Sequence, residues 1–600
     1  REYQPQIGSA EWNYALDRED GIFALALRKD VEHPFPPESD EAAIGGKDEE
    51  GGNGKTGKKD EEADAKGKKK KKEEEKTEEK PAPIRIDFDG LGDRVAKVPV
   101  EDDNYAGLSA VEGYLVYLRT GPFYYGRQSS PRPALKLFSL EDREEKDLLD
   151  DVDGYVLSRD GKKVLVAQHG SYQLMDVKPG AADSKKTVST AELETESIPQ
   201  EEWATIFDEV WRRYRDFFYV KNMHGYDWKA LRDQYRPLLK YVANRSDLNY
   251  VISEMISELS VSHAYITGGD FEIPDRPQVA LPGAQFELDE DAGRYRISKI
   301  YEGQNAEPEY RSPLTEIGVD VAVGDYVLAI NGDDLEAGDN PYEMLRYKAD
   351  HPVTFTVNDT PETEGAHDVT FEPVTRETPL VYLNWVLRNH RQVTEATDGR
   401  VGYLHIPDMG AAGLREFIKW YYPQIRKEGL VVDVRGNGGG NVSQMLIERL
   451  QRELLAVGFS RTNDHPTTYP QTVFYGPMVA LINQTSASDG DIFPAMFRKA
   501  GLGPLIGKRS WGGVIGISGH GPLLDGGGVF VPEYGFASTD GKWIIENHGV
   551  DPDIEVDNDP KSVIEGRDPQ LERAIQEVLK RMEEMNLRLP ERPADPIKTP

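Results

Sequence analysis

The hydrophobic period changes three times along this 600-residue chain. Strands repeat every two residues and helices every 3.6, so one layer of structure cannot satisfy all four stretches. Residues 1–190 read as short strands (GIFALALRKD, YLVYLRTG, ALKLFSL, YVLSRDGKKVLVAQHG) parted by Gly, Asp and Pro turns. Residues 195–268 turn helical: Trp203, Ile206, Phe207, Val210, Trp211 and Tyr214 recur at three- and four-residue steps. Residues 269–377 return to strands, with a short helix near 341–348. Residues 378–590 alternate buried strands with amphipathic helices, ending in DPQLERAIQEVLKRMEEM. The predicted fold class is multidomain: β-propeller blades, a small helical module, a β domain and an α/β core.

The first block is long enough for three to four blades at about 40–45 residues each. That is too few to close a ring comfortably, so the strands belong to a larger propeller or to another β structure. The block is interrupted at 44–82 by a run of Lys, Glu and Gly, with lysines and carboxylates balanced between 47 and 80. Its apolar content cannot offset the entropy of ordering, so a disordered charged linker is expected there. The chain opens on REYQPQ without Met, which suits a processed chain or part of a longer protein.

Charge excludes several functions. With 72 basic and 106 acidic residues the net charge is −34. Nucleic acid and anionic membrane surfaces both require a positive face, so neither is an expected partner. The even spread of carboxylates suits solubility or a high-salt habitat. There is no cysteine, which removes disulfides, thiol nucleophiles and thiolate metal sites. No apolar run approaches the 18 or so residues of a membrane span. None of the 11 histidines lies in HExxH or another metal-ligand spacing. GNGGG (436–440) lacks the Lys-Ser/Thr of a phosphate loop. No metal or cofactor is expected.

The chemistry concentrates in INQTSASDGDIF. Ser488 falls between an apolar strand and a helix, with Asp489-Gly490 behind it. A serine at a helix N-terminus feels a dipole that favours developing negative charge, and the Asp489 N–H can donate to an oxyanion. The same serine also suits an ordinary N-cap. A nucleophilic serine needs a base, and His263 in SVSHAY is the histidine with a suggestive context, though a lone histidine also serves as a structural residue. Glycines 438–440 allow close backbone approach.

SVSHAY, DVRGNGGG, TSASDGDIF, SWGGVIG and ENHGVDPDIEV occur in that order. GDYVLAINGDDL (324–335) resembles the strand and turn of a PDZ domain, a module that binds peptide C-termini by strand addition. Together these segments resemble the tricorn protease family of tail-specific serine peptidases, over nearly the whole chain. The resemblance implies the end of a last propeller followed by a helical core segment, a PDZ domain and a second core segment. It implies Ser488 as nucleophile, His263 as general base, Ser262 orienting His263, and Glu546 bonded to Ser262. Asp489 and Gly440, or its neighbour Gly439, would bind the oxyanion. It further implies peptide substrates, a hexamer-like homo-oligomeric ring, aminopeptidases acting on the products, an ATP-dependent protease upstream and a cytoplasmic location, with export also open.

Two positions depart from the pattern. Processing proteases with a Ser-Lys dyad carry a lysine about 25 residues after the serine; here that position is Gly513, with Lys499 and Lys508 elsewhere. The acidic residue that steers basic side chains into the family's substrate pocket is replaced by Ser460, with Asp464 following. Two other readings are an inactive peptide-binding propeller and PDZ scaffold, and a Ser-Lys processing protease.

Overall fold

The computed structural model describes residues 4–7, 14–18, 20–31, 34–35, 84–121, 132–271, 273–463, 465–585 and 588–599. The charged insertion expected at 44–82 lies outside the described residues, as does Asp464. The chain divides into two units, Arg1–Leu193 and Glu194–Pro600.

The first unit contains two four-stranded antiparallel meanders. One runs Tyr105–Val111, Tyr114–Arg119, Ala134–Ser139 and Glu145–Leu149; the other runs Gly154–Leu157, Lys163–Gln168, Ser171–Asp176 and Lys186–Val188. Alternation places Val116, Leu135, Leu137, Val164 and Val166 in one core.

The second unit begins with the helical module: α1 (Pro199–Phe217), α2 (Trp228–Tyr235) and α3 (Arg245–Ser257). Ile206, Phe207, Val210 and Tyr214 are the buried stripe of α1, as their spacing requires. Strand Tyr265–Thr267 then pairs antiparallel with Gly528–Tyr534, which comes from the far end of the core. Val529 and Val531 therefore pack into the helical module's own core, and the module is stitched to a segment more than 250 residues away. A buried ion pair, Arg245 with Asp525, reinforces the junction.

The β domain is a six-stranded antiparallel sheet, from Ala284–Asp289 to His367–Phe371, around Val327, Phe355 and Phe371. Asn331 (φ 53°) and Gly332 (φ 86°) form a two-residue turn between Tyr326–Ile330 and Asp333–Asp334. This explains the Asn-Gly pair, because such a hairpin needs positive φ at both turn residues. The helix expected at 341–348 is only the short Pro341–Met344. The Glu377 carboxylate accepts the N–H groups of Gly283 (2.7 Å) and Ala284 (3.1 Å) at the entry to the first strand. A carboxylate of the chain itself thus occupies this pair of amides.

The α/β core is a parallel sheet in chain order: β1 (Val401–His405), β2 (Gly429–Asp433), β3 (Met478–Ile482), β4 (Leu505–Gly507) and β5 (Ile554–Glu555). Its long helices are α4 (Thr378–Ala396), α5 (Ala411–Tyr421), α6 (Ser443–Leu450), α7 (Asp489–Lys499) and α8 (Pro569–Met585). Because each strand joins its immediate neighbour by a crossover of one hand, α5, α6 and α7 share a face. Leu430, Val432, Ala480 and Ile482 meet Phe417, Leu446, Phe493 and Phe497 there. Val431, Val479 and Leu481 point the other way, onto α4 and α8. Both faces are covered, so the strands read as unbroken apolar runs rather than alternating ones.

Candidate active site

The site forms at the carboxyl ends of β2 and β3, where loops of a parallel sheet gather ligands. Two turns meet there. After β2 the chain runs Arg435-Gly436-Asn437-Gly438-Gly439-Gly440; after β3 it runs from Asn483 to Ser488 and enters α7. The buried Asn437 joins them. Its carbonyl accepts the Ala487 N–H (2.8 Å), its side-chain oxygen accepts the Gly439 N–H (2.9 Å), and its amide donates to the Ile406 carbonyl (2.9 Å). The turns touch backbone to backbone. A Cβ on Gly439 (φ +94°) would stand 2.5 Å from the Ser488 Cβ and 3.0 Å from the Asp489 nitrogen. Any larger residue at 439 would occupy the serine's space.

Ser488 has φ 58° and ψ −121° and makes no capping hydrogen bond with its side chain. An ordinary N-cap has extended backbone and accepts a helix N–H, so this serine does not behave as one. Holding a non-glycine residue in that region costs about 1–3 kcal/mol, which the surrounding packing must outweigh. Ser488 remains partly accessible. The N–H groups of Asp489 and Gly440 have no acceptor among the described residues, whereas that of Gly439 is given to Asn437. Of the two glycines expected near the oxyanion, Gly440 is therefore the one with a donor to offer. Its φ of 147° and the Met409 carbonyl, 2.0 Å from where a Cβ would lie, allow no side chain.

The second half of the site comes from the helical module. His263 is buried, between α3 and the strand that crosses to Phe530. Its Nδ1 lies 2.8 Å from the Ile515 carbonyl. A carbonyl can only accept, so Nδ1 carries the proton and Nε2 is left as the basic nitrogen. The Ser262 hydroxyl donates to Glu546 Oε1 (2.7 Å), and a backbone carbonyl bonds the ring. The link is indirect. Glu546 Oε1 also accepts the Ser262 N–H (3.0 Å), and Oε2 accepts the N–H groups of Val514 (2.8 Å) and Ile515 (3.2 Å). One carboxylate thus clamps the residue before His263 to the segment whose carbonyl orients it. Ile545 (φ 74°) and Asn547 (φ 62°) flank Glu546. A β-branched residue at positive φ is a marked strain, and here it accompanies the turn that presents the carboxylate.

Residues 511–513 tie the two halves together. The Trp511 N–H donates to the Ser486 carbonyl (2.9 Å), and the Gly512 N–H donates to Asp491 Oδ1 (2.8 Å). The Trp511 ring lies 5.3 Å from the His263 ring, centre to centre. Ser488 and His263 are therefore anchored to one short segment. No hydrogen bond joins the two side chains among the described residues, as is common before a substrate tightens such contacts. Asp489 and Asp491 are both buried. Burial pushes each carboxyl above its ordinary value, against hydrogen bonds from Ser443 to Asp489 and from Ser510 and Gly512 to Asp491.

The lysine alternatives fail on geometry. A Cβ at Gly513 would fall 2.4 Å from the Ser262 hydroxyl and 2.2 Å from the Trp511 ring, so a lysine has no room there. Lys508 pairs with Glu555 at 2.8 Å, which raises its pKa and keeps it protonated. Lys499 ends α7, about 15 Å along the helix from Asp489. Ser460 is exposed, bonded to Thr462 in a turn, and does not line the cavity beside Gly440 and Asp489. The sequence reading assigned no role to Asn437, Asp491 or Trp511. All three stand inside the motifs quoted above, but their contacts are largely to backbone, which carries no side-chain signature. No group of acidic and histidine residues able to hold a metal ion occurs among the described residues, and no described helix is long and apolar enough to cross a membrane.

Three family descriptions match the chain in order: the tricorn protease C1 domain at 199–257, the tricorn protease PDZ domain at 281–376, and peptidase family S41 at 400–556. Tricorn protease homolog 1 of Streptomyces coelicolor is 37% identical over 520 residues, covering 84% of this chain and 48% of the relative. Tricorn protease of Thermoplasma acidophilum is 32% identical, covering 85% and 47%. A crystal structure of tricorn protease superposes with a TM-score of 0.82 at 27% identity, over 97% of this chain and 53% of that one. The chain spans about half the length of the relatives it matches. The three matched domains, their order and the shared backbone agree: over these residues the chain is similar to the tricorn proteases.

Proposed function

We propose that the protein is a serine peptidase that hydrolyses short unfolded peptides through an acyl-enzyme on Ser488. The observation that carries this is the 2.8 Å contact between His263 Nδ1 and the Ile515 carbonyl. The Ile515 carbonyl holds the proton on Nδ1 and leaves Nε2 basic, on the segment that also holds the turn before Ser488. In the first step Ser488 Oγ bonds the scissile carbonyl carbon and His263 Nε2 takes the hydroxyl proton. The Asp489 and Gly440 N–H groups receive the charge that forms on the carbonyl oxygen. The C–N bond then breaks and His263 returns the proton to the leaving amine. Water, deprotonated by the same nitrogen, releases the acid and restores Ser488. The Glu546 clamp does through the backbone what the acidic member of a Ser-His-Asp triad does by direct contact.

The strained serine, the two free N–H groups and the unobstructed glycines disfavour an inactive scaffold, and the Lys508–Glu555 pair disfavours a Ser-Lys mechanism. The two four-stranded meanders support propeller blades for the first unit. The similarity to tricorn proteases supports a ring-like homo-oligomer in the cytoplasm, fed by an ATP-dependent protease and drained by aminopeptidases. The test is hydrolysis of an unstructured fluorogenic peptide library. Ser488→Ala and His263→Ala are expected to abolish turnover, and Lys508→Ala to leave kcat/KM within twofold. Loss in the lysine variant with activity retained in His263→Ala would overturn the assignment.

A further inference from the structure

Ser262 and His263 sit in the loop that joins α3 to the strand Tyr265–Thr267. The last carbonyls of a helix have no partner inside it, so the start of such a loop is held only where other groups supply donors. Here side chains supply them. The Asn547 amide donates to the Ser260 carbonyl (2.9 Å), and Glu546 accepts the Ser262 N–H. The carbonyl of Leu259, a fully buried residue, meets His224 Nδ1 at 2.6 Å. No backbone N–H reaches that carbonyl among the described residues.

His224 makes no hydrogen bond to Ser488, His263 or Glu546 among the described residues. It lies in the turn after α1, and its ring packs edge-on against Phe218. Met223 (φ 49°) and His224 (φ 55°) are both left-handed. Non-glycine residues are uncommon and strained in that region, so the surrounding contacts must hold them there. The turn places the ring: Nδ1 faces the Leu259 carbonyl and Nε2 faces the Tyr219 hydroxyl, also at 2.6 Å.

The two contacts fix the ring's proton. A carbonyl can only accept, so Nδ1 donates, and Nε2 of the neutral ring accepts the Tyr219 hydroxyl. Burial and then the Glu546 carboxylate raise the Tyr219 phenol above its ordinary value, which keeps that hydroxyl a donor. The Tyr219 N–H in turn donates to the Pro532 carbonyl (3.0 Å), and its ring meets Trp543 edge-on at 5.4 Å. His224 therefore ties the carbonyl four residues before His263 to the strand Gly528–Tyr534, which pairs with Tyr265–Thr267 just after it.

Resting on the peptidase reading, we propose that His224 is a positioning residue for His263: its Nδ1–H holds the Leu259 carbonyl and so sets where the loop delivers the basic ring. Glu546 fixes the loop next to His263, and His224 fixes its origin. Loss of either lets His263 Nε2 drift from the Ser488 hydroxyl.

The experiment measures the rate at which an alkyl fluorophosphonate labels Ser488, with kcat and KM for an unstructured peptide and a thermal melt beside it. Three variants separate the ring's contact from its backbone. His224→Asn puts an amide N–H near the place of Nδ1 and tolerates left-handed backbone; labelling within threefold of the parent is expected. His224→Gly relieves the backbone and supplies no donor, and His224→Gln places its amide toward Tyr219 instead of Leu259. Both are expected to label at least tenfold more slowly, with kcat lowered to match and KM within twofold. Should one of these two fail to fold, the other carries the comparison with His224→Asn. Normal labelling in His224→Gly, or labelling in His224→Asn as slow as in His224→Gly or His224→Gln, would overturn the proposal. So would rates that follow the melting temperature rather than the presence of the donor. All three outcomes leave the peptidase reading intact, because the parent still labels. Absence of labelling in the parent would overturn both.

Discussion

Replacing Glu546 by glutamine tests the clamp most finely, because it keeps the shape and removes one acceptor. The carboxylate accepts four hydrogen bonds, two on each oxygen, from Ser262 on one side and from Val514 and Ile515 on the other. A glutamine can turn its oxygen only one way. Turned toward Val514 and Ile515, it keeps both of those bonds, and the Ser262 hydroxyl can rotate to accept from the new amide. The Ser262 N–H is then left facing an NH₂ group. One partly buried unpaired donor costs about 1–3 kcal/mol, which corresponds to about 5- to 150-fold if it is expressed as misplacement of His263. Glu546→Gln is therefore expected to lower kcat/KM by about tenfold or more, mainly in kcat, with a melting temperature within a few degrees of the parent. Glu546→Ala unpairs three N–H groups and is expected to lose at least 100-fold. Ser262→Ala removes one hydroxyl and leaves the carboxylate its three N–H donors, so a loss below tenfold is expected. Peptide hydrolysis at 25 °C and thermal melts give all three. Glu546→Gln within twofold of the parent would refute the clamp. Ser262→Ala as deep as Glu546→Ala would show that the serine acts on the ring itself.

Three further outcomes follow from particular contacts. Gly439→Ala introduces a Cβ 2.5 Å from that of Ser488 at a φ of +94°; it should abolish Ser488 labelling and lower the melting temperature, and normal labelling would contradict the packing described. Asp525 is buried, which raises its pKa, but the Arg245 guanidinium and the N–H groups of Asp270 and Gly527 outweigh burial and hold the carboxyl below its ordinary 3.8. A lowered folded-state pKa contributes stability above the unfolded value and loses it as pH falls through the folded one. Asp525→Asn should therefore cost about 3–5 kcal/mol at pH 7 in denaturant melts, and the difference should shrink below pH 3.8; a pH-independent difference would rule out the ion pair as its source. Glu377→Ala frees the Gly283 and Ala284 amides, so a peptide with a free C-terminal carboxylate should gain affinity over its amidated form in fluorescence anisotropy. Binding of the free-carboxylate peptide by the parent protein as tightly as by Glu377→Ala would show that those amides are already open.

What the sequence made legible depended on whether the relevant atom belonged to a side chain. The stripe of α1, the unbroken apolar runs of β2 and β3, and the Asn331-Gly332 turn are side-chain patterns with one physical solution each, and all were read correctly in kind. Ser488 stood out through its place between strand and helix. The Ile515 carbonyl that orients His263 was invisible, because every residue carries one. The Glu546 clamp was half legible: its bond to Ser262 followed from the family resemblance, but its hold on the Val514 and Ile515 N–H groups did not. Asn437 and Asp491 were hidden for the same reason, since both work by holding backbone. Helix ends were the least legible; Pro341–Met344 stops early, where a turn at Leu345–Tyr347 hydrogen-bonds to the start of the β domain.

Fluorophosphonate labelling followed by peptide mapping tests the central claim most directly, run on the parent, His263→Ala and Lys508→Ala side by side. The account expects one label, on Ser488, at least 100-fold slower in His263→Ala and unchanged in Lys508→Ala. A label on another serine, or equal labelling of the parent and His263→Ala, would contradict it.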